Sequence, residues 1–496
     1  MNRSEILERV RTRREPWNIV VIGGGATGVG CALDAASRGY DVLLLEQSDF
    51  GKGTSSRSTK LIHGGVRYLA QGNISLVREA LKERGILLNN APHVVHKLAF
   101  IVPCYTLWQK IFYATGLKIY DLLAGKYSFG RSRVLSKTET LEHLPTIRSD
   151  GLRCGILYYD GQFDDTRLLI DMVSMGHEHG AAILNYAKVT SLDKGADGKI
   201  CGLTFDDVET GESFSVSANS VINATGAFCD SLRSMADPRS KPIVTHSRGI
   251  HLVLDRKFLP SDDALMIPKT SDGRVLFCIP WLGAMLVGTT DTPIDHAEME
   301  PAALDAEIDF VLENASRYLA DRPKRSDILS VFAGIRPLVN SGSTKDTASL
   351  LRGYTIEIDG SGLLTITGGK WTTYRRMAEA AVDQAVNLAN LEARKSLTAS
   401  LKIRGAEMNI ELGERLVPDL PYHESNILLA VRNEMAVNLE DVLARRTRVL
   451  FVNARAAIEI APNVAKIMAS EMGKDDTWVR RQIDEFNRTV SSYLAR

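Results

Sequence analysis

Three cations, each set at a glycine-flanked turn, are the residues of this chain best suited to holding a small anion. Arg67 stands in His63-Gly64-Gly65-Val66-Arg67-Tyr68, Arg336 in Gly334-Ile335-Arg336-Pro337, and Lys370 in Gly368-Gly369-Lys370-Trp371-Thr372-Thr373. If the fold brings them together they form an anion pocket, because charge-assisted hydrogen bonds are roughly twice as strong as neutral ones. Taken singly, each is a solvated charge. Just ahead of His63 runs Gly53-Thr54-Ser55-Ser56-Arg57-Ser58-Thr59-Lys60. Its hydroxyls and N–H groups suit a pyrophosphate; the other reading is a long surface loop capped by a helix.

The framework that must position these groups begins upstream, in IVVIGGGATGVGCALDAASRGYDVLLLE, residues 19 to 46. A β-branched strand over 18–22 turns through Gly23, Gly25 and Gly28 into a helix. The three glycines serve the tight turn, the approach of a pyrophosphate to the backbone, and close packing of helix on strand. A second strand over 41–45 ends in Glu46, placed to accept hydrogen bonds from a ribose 2′-OH and so to disfavour a 2′-phosphate. This unit leaves FAD and NAD undecided. From 183 to 222 the apolar pattern has period two with glycine turns, a β-meander, and it returns through Val221-Ile222-Asn223-Ala224-Thr225-Gly226 to the nucleotide. The runs HLVLD, RVLFCIPW and AMLVGTTD predict a sheet in a second domain, and SGLLTITGGKWTTYRRMAEAAV is again strand, glycine turn and helix. Beyond residue 400, Ile427, Val431 and Met435, then Val464, Ile467, Met468 and Met472, keep helical spacing. The predicted class is α/β: a discontinuous nucleotide domain (18–90, 150–230, 330–385), a sheet-based substrate domain (91–149, 231–329) and a C-terminal helical domain (400–496).

Sixty Lys+Arg balance sixty Asp+Glu, which argues against bulk nucleic-acid binding. The cysteines at 31, 104, 154, 201, 229 and 278 contain no CxxC pair, so neither a metal knuckle nor a disulfide framework is expected, and a reducing compartment fits. The charged start MNRSEILERVRTRREPW lacks the apolar core of a signal peptide. No uncharged apolar stretch is long enough to cross a bilayer. The stretch 107–124, LWQKIFYATGLKIYDLLA, mixes aromatic and basic residues along a helix that either lies flat in a bilayer interface or packs on its own protein.

The ordered runs TSSRSTKLIHGGVRYL, INATGAF, LVGTTD, AGIRPL and ITGGKWTTYRRMAE, with EDVLARRTRVLF near the C-terminus, resemble the FAD-dependent, respiratory, quinone-linked glycerol-3-phosphate dehydrogenases. The resemblance implies a Rossmann-like FAD-binding domain of the glycine and D-amino-acid oxidase type, a substrate domain and a helical cap. It implies oxidation of sn-glycerol 3-phosphate to dihydroxyacetone phosphate, with hydride passing to the flavin and electrons to a membrane quinone. Peripheral attachment to the cytoplasmic membrane and a homodimer are further family-level expectations.

Carried onto this chain, the family's motifs assign FAD binding to Gly23, Gly25, Gly28, Glu46, Thr54, Ser55, Ser56, Gly226, Gly368, Gly369 and Thr372. Substrate binding falls to Arg67, Arg336 and Lys370, with Tyr68 and Thr373 placed to orient the substrate. His251, in SRGIHLVL, matches a histidine that the family puts near the substrate. An alcohol losing hydride needs a base of near-neutral pKa, so His251 is the first candidate, His63 the second and Lys370 the third. Ala227-Phe228 stands where the family often has Pro-Trp. An insertion carried by the family's oxygen-using oxidases is not evident between the second domain and the cap, which favours a dehydrogenase. The alternatives are a flavin oxidase of this fold acting on another amine or hydroxy acid, and a flavin-binding module without turnover.

Overall fold

The apolar run ending at Ile22 has no polar face to offer solvent, so it can only be an interior strand. In the computed structural model, which describes residues 1–66, 69, 72–339, 353–405 and 411–495, Ile19–Ile22 is wholly buried. It runs parallel to Val42–Leu45 on one side and to Val221–Asn223 on the other. The sheet continues through Leu364–Gly368 and Tyr354–Ile358 to one edge and through Ala182–Leu184 to the other. Helices Ala26–Ser37, Asp165–Glu178 and Tyr374–Leu388 pack on it and on one another. The expected meander is a separate antiparallel sheet of Ala187–Lys194, Ile200–Asp207 and Ser213–Ser217.

A second sheet of ten strands builds the other half of the body, with Val244–Asp255 and Ala284–Gly288 toward one side, Leu276–Trp281 and Ala264–Ile267 in the middle and Val95–Cys104 toward the other side. Two strands grouped on sequence with the nucleotide domain pair here instead. Cys154–Phe163 lies along Val95–Cys104, and Ile328–Val339 lies along Val244–Asp255. An apolar run selects burial but not a partner; long cross-strand registers made that choice.

The C-terminal domain is helical as expected, with Glu424–Asn433, Ala454–Met472 and Asp476–Val490 presenting Ile427, Val464, Met468 and Phe486 to a shared core. That core is continuous with Trp281, Phe332 and Phe451, so the cap has its base on the ten-stranded sheet. Ion pairs lock the cap to the nucleotide domain. Asp49, wholly buried, accepts from Arg446 at 2.8 and 3.0 Å and from Arg445 at 2.5 Å. Burial pushes its carboxyl up, but Arg446 and Arg445 outweigh burial and hold it below the ordinary carboxylate value.

Candidate active site

A cavity of about 610 Å³ lies between the two sheets, with the glycine turn of the first strand at one end and His251, Arg336 and Lys370 on its walls. At the turn, Gly23 has φ +112°, and a Cβ there would stand 2.7 Å from the carbonyl oxygen of Ala224. Only glycine lets the chain leave the strand while the Ala224–Gly226 return crosses it. Helix Ala26–Ser37 therefore starts at the cavity with its N-terminal dipole aimed inward, where it favours an anion. Glu46 lines the same end; its carboxylate accepts from Gly24 N–H at 2.6 Å and Ser48 N–H at 2.8 Å.

The hydroxyl run splits by role. Thr54 and Ser55 line the cavity; Ser55 Oγ accepts the Ala26 N–H at 2.9 Å, and Trp371 Nε1 donates to the Ser55 carbonyl at 2.8 Å. Ser56 is buried behind them, its carbonyl accepting Lys60 Nζ at 2.7 Å and Arg448 Nη2 at 2.8 Å. Gly226, Gly368, Gly369 and Thr372 reach the cavity, whereas Gly28 packs inside the turn. The His63 loop and the Lys370 turn are tied together by the His63 N–H donating to Thr372 Oγ1 at 3.2 Å. From behind, Tyr120 accepts the Gly64 N–H at 2.8 Å and donates to Asp160 at 2.9 Å, and Arg84 pairs with the same Asp160 at 2.6 Å. Arg67 and Tyr68 lie outside the described residues.

His251 is 2 % exposed, with its ring stacked on Phe332 at 4.9 Å between centroids. Its Nε2 is 2.9 Å from Thr59 Oγ1, while Nδ1 has no hydrogen-bond partner among the described residues. Burial, then the positive charges of Lys60 and Arg336, hold the imidazole well below its ordinary 6.5, so it is neutral at physiological pH and a weaker base than the near-neutral one expected on sequence. Strand pairing puts Gly288 directly opposite, and the absence of a side chain there leaves the space that the ring occupies. Arg336 reaches over Gly249 and donates to the Thr290 carbonyl at 3.0 Å and to Thr289 Oγ1 at 2.9 Å.

Of the three cations picked out on sequence, the structure brings Arg336 and Lys370 to one cavity, with His63 and His251. It adds groups not picked out: Thr59 on the imidazole, and Lys60, Asp165 and Arg448 beneath the hydroxyl loop. Thr59 and Lys60 stood in a recognisable run. Asp165 carried no signal, because its partners are more than a hundred residues away in the chain.

A family described as FAD dependent oxidoreductase matches residues 18–375, and one described as the C-terminal domain of alpha-glycerophosphate oxidase matches residues 370–479. A probable mitochondrial glycerol-3-phosphate dehydrogenase of Caenorhabditis elegans is 39% identical over 97% of this chain and 74% of its own length. The mitochondrial glycerol-3-phosphate dehydrogenase of Mus musculus is 40% identical over 96% of this chain and 73% of its own. Among solved structures, the glycerol-3-phosphate dehydrogenase from Bacillus halodurans complexed with FAD superposes with TM-score 0.79 at 27% identity, covering 99% of this chain and 97% of that one. Glycine oxidase from Geobacillus kaustophilus, at TM-score 0.56 and 18% identity over 79% of this chain and all of its own, shares the fold.

Proposed function

The chain belongs to the FAD-dependent glycerol-3-phosphate dehydrogenases, and on that premise we propose that it oxidises the C2 alcohol of sn-glycerol 3-phosphate to dihydroxyacetone phosphate and delivers the electrons to a membrane quinone. The observation that carries the reading is the meeting of a phosphate-binding turn, two cations and a buried neutral imidazole on one cavity. The residues present fit FAD, since the cradle at Gly23 has no room for a side chain and the helix it opens points its N-terminus into the cavity. Gly23, Gly25, Ser55, Thr54, Glu46 and the Gly368-Gly369 turn would hold the cofactor, which supplies the hydride acceptor when bound.

The protein's own work is binding and proton transfer. Arg336 and Lys370, with Arg67 assigned to the same role by a separate family motif, bind the substrate phosphate, and their charge orients C2 toward the cavity interior. His251 takes the hydroxyl proton as the C2 hydrogen leaves with its electron pair, so the base must be neutral before the reaction and becomes the imidazolium after it. Burial of the His251 ring against Phe332 keeps water from competing for that proton.

Delivery to a membrane acceptor is supported by helix Leu107–Ala124. It buries Leu117, Tyr120 and Ala124 against the protein and turns Leu107, Trp108, Ile111, Phe112, Ile119 and Leu122 to solvent, Trp108 at 71% and Leu122 at 80% exposure. A contiguous apolar face of this kind, with Lys110 on the same helix, suits peripheral attachment to the cytoplasmic membrane. Among the described residues no helix is long and apolar enough to cross a bilayer.

The test is the visible spectrum of the purified protein under argon. Bleaching of the flavin band on adding sn-glycerol 3-phosphate, with fast recovery on a quinone and slow recovery in air, is expected. A flavin that stays oxidised refutes the substrate, and fast recovery in air favours an oxidase. Trp108→Glu with Leu122→Glu is expected to lose co-sedimentation with anionic vesicles and quinone turnover while keeping turnover with a soluble dye; unchanged sedimentation removes the membrane assignment.

A further inference from the structure

The proton-transfer step as read above leaves the segment Glu440 to Phe451 of the cap unused, although it reaches the back wall of the site. Arg448 lies there, 1% exposed, and donates through Nη2 to the Ser56 carbonyl at 2.8 Å and toward Asp165 Oδ1 at 3.4 Å. Asp165, also fully buried, accepts through Oδ2 from Lys60 Nζ at 2.6 Å, from the Ser58 hydroxyl at 2.7 Å and from the Ser58 N–H at 3.2 Å. Lys60 Nζ closes the ring on the same Ser56 carbonyl. The chain from 56 to 60 is thus gripped on both sides of Thr59, the residue whose hydroxyl meets His251 Nε2 at 2.9 Å. Lys60 and Arg448 both hold left-handed backbone conformations, φ +61° and +63°, which residues with a side chain adopt only where the surroundings impose them.

We propose that Arg448 of the cap is a positioning residue for proton transfer: through Ser56 and Asp165 it holds the Thr59 hydroxyl against His251, which then donates Nε2–H to Thr59 and keeps the lone pair on Nδ1 for the substrate hydroxyl. The proposal rests on His251 as the base. In a neutral imidazole one nitrogen donates and the other accepts, and the hydrogen bond made by the first selects the second. Thr59 is the side chain at hydrogen-bond distance from Nε2, and Nδ1 is buried without a partner among the described residues. The charged groups that act on the ring are Lys60 from the hydroxyl loop and Arg336 from strand Ile328–Val339; strand Ala284–Gly288 offers it only Gly288, and Phe332 an apolar face. The helical domain therefore completes the catalytic geometry as well as covering the sheet.

The experiment compares the full-length holoenzymes of wild type, Thr59→Val, Arg448→Lys and His251→Asn. Flavin reduction by sn-glycerol 3-phosphate is followed under argon across pH, with FAD content from absorbance and ring nitrogen shifts of 15N-histidine-labelled protein. Thr59→Val and Arg448→Lys are expected to bind FAD fully and to slow reduction by about tenfold or more with KM within about twofold, because the base is misaligned while the phosphate site is intact. The His251 nitrogen shifts are expected to report Nε2–H in the wild type and mixed tautomers in both variants. Wild-type rates and pH profiles in both variants, or an Nδ1–H tautomer in the wild type, overturn the proposal. Should Arg448→Lys fail to hold FAD, Thr59→Val decides alone. A His251→Asn enzyme as fast as wild type would instead remove the base assignment itself, whereas a slow His251→Asn beside a normal Thr59→Val and Arg448→Lys removes only the positioning role.

Discussion

Gly288 faces His251 across the sheet and has no polar function of its own, so Gly288→Ala moves the imidazole without touching its chemistry. The added Cβ would stand 2.8 Å from Cγ and 2.9 Å from Nε2 of the ring, and closer still to Cδ2. Ordinary carbon contacts lie at about 3.5–4.0 Å, so the ring must withdraw by more than about 1 Å. Phe332 stacks on the imidazole at 4.9 Å and limits that retreat, and the 2.9 Å contact from Nε2 to Thr59 is lost on the way. Overpacking of this kind costs about 1–3 kcal/mol of stability. A reacting group displaced by about 1 Å costs roughly a hundredfold in rate, or about 2.7 kcal/mol of barrier. Anaerobic stopped-flow reduction of the flavin by sn-glycerol 3-phosphate measures the rate, and absorbance with a melting curve checks cofactor content and folding. The expected result is full FAD, a modest loss of melting temperature and reduction slowed by about two orders of magnitude. A destabilised enzyme that reduces its flavin at the wild-type rate would refute the argument that the position of His251 controls the step.

Three further outcomes follow from the same geometry. Gly23→Ala meets both a φ of +112° and a backbone oxygen at 2.7 Å, so it is expected to lose about 1–3 kcal/mol and most of its FAD, read as flavin absorbance per chain; full occupancy would contradict the cradle. Arg446→Ala leaves the buried Asp49 carboxylate with Arg445 as its remaining cation and is expected to cost about 1.5–3 kcal/mol in urea unfolding, with a change below about 1 kcal/mol arguing that the cap is not held there. The folded state keeps His251 neutral, so below pH 6.5 only the unfolded chain takes up this proton and stability falls as pH falls. Urea unfolding at pH 7.5 and 5.5 should therefore show wild type losing more stability than His251→Asn; a loss equal in both would mean that the imidazole titrates normally.

The local parts of this protein were legible because their causes are local. A β-branched run, glycines at fixed spacing and a terminal acid specify a strand, a turn and a helix start within some thirty residues, and Ile19–Ile22, Ala26–Ser37 and Val42–Leu45 follow that reading. Period-two segments with glycine turns likewise specified the meander, and helical spacing the cap. Motif order carried the family, FAD included. Partnership was not legible. The segments around Cys154–Phe163 and Ile328–Val339 were grouped on sequence with the nucleotide domain, and only pairing with Val95–Cys104 and Val244–Asp255 puts these strands in the larger sheet. The exposure of the apolar face of Leu107–Ala124 was equally undecided, since periodicity gives the helix but not what covers it. The same holds at the site. Thr59 meets His251 across 192 residues of sequence and Arg448 meets Asp165 across 283, contacts that exist only after two sheets and a helical cap have closed on one another. Residue type and spacing determine what each segment can do, because those forces act over a few residues. Which groups share a buried volume, and so what charge and hydrogen bonds each one experiences, is decided by packing between segments that the chain itself keeps far apart.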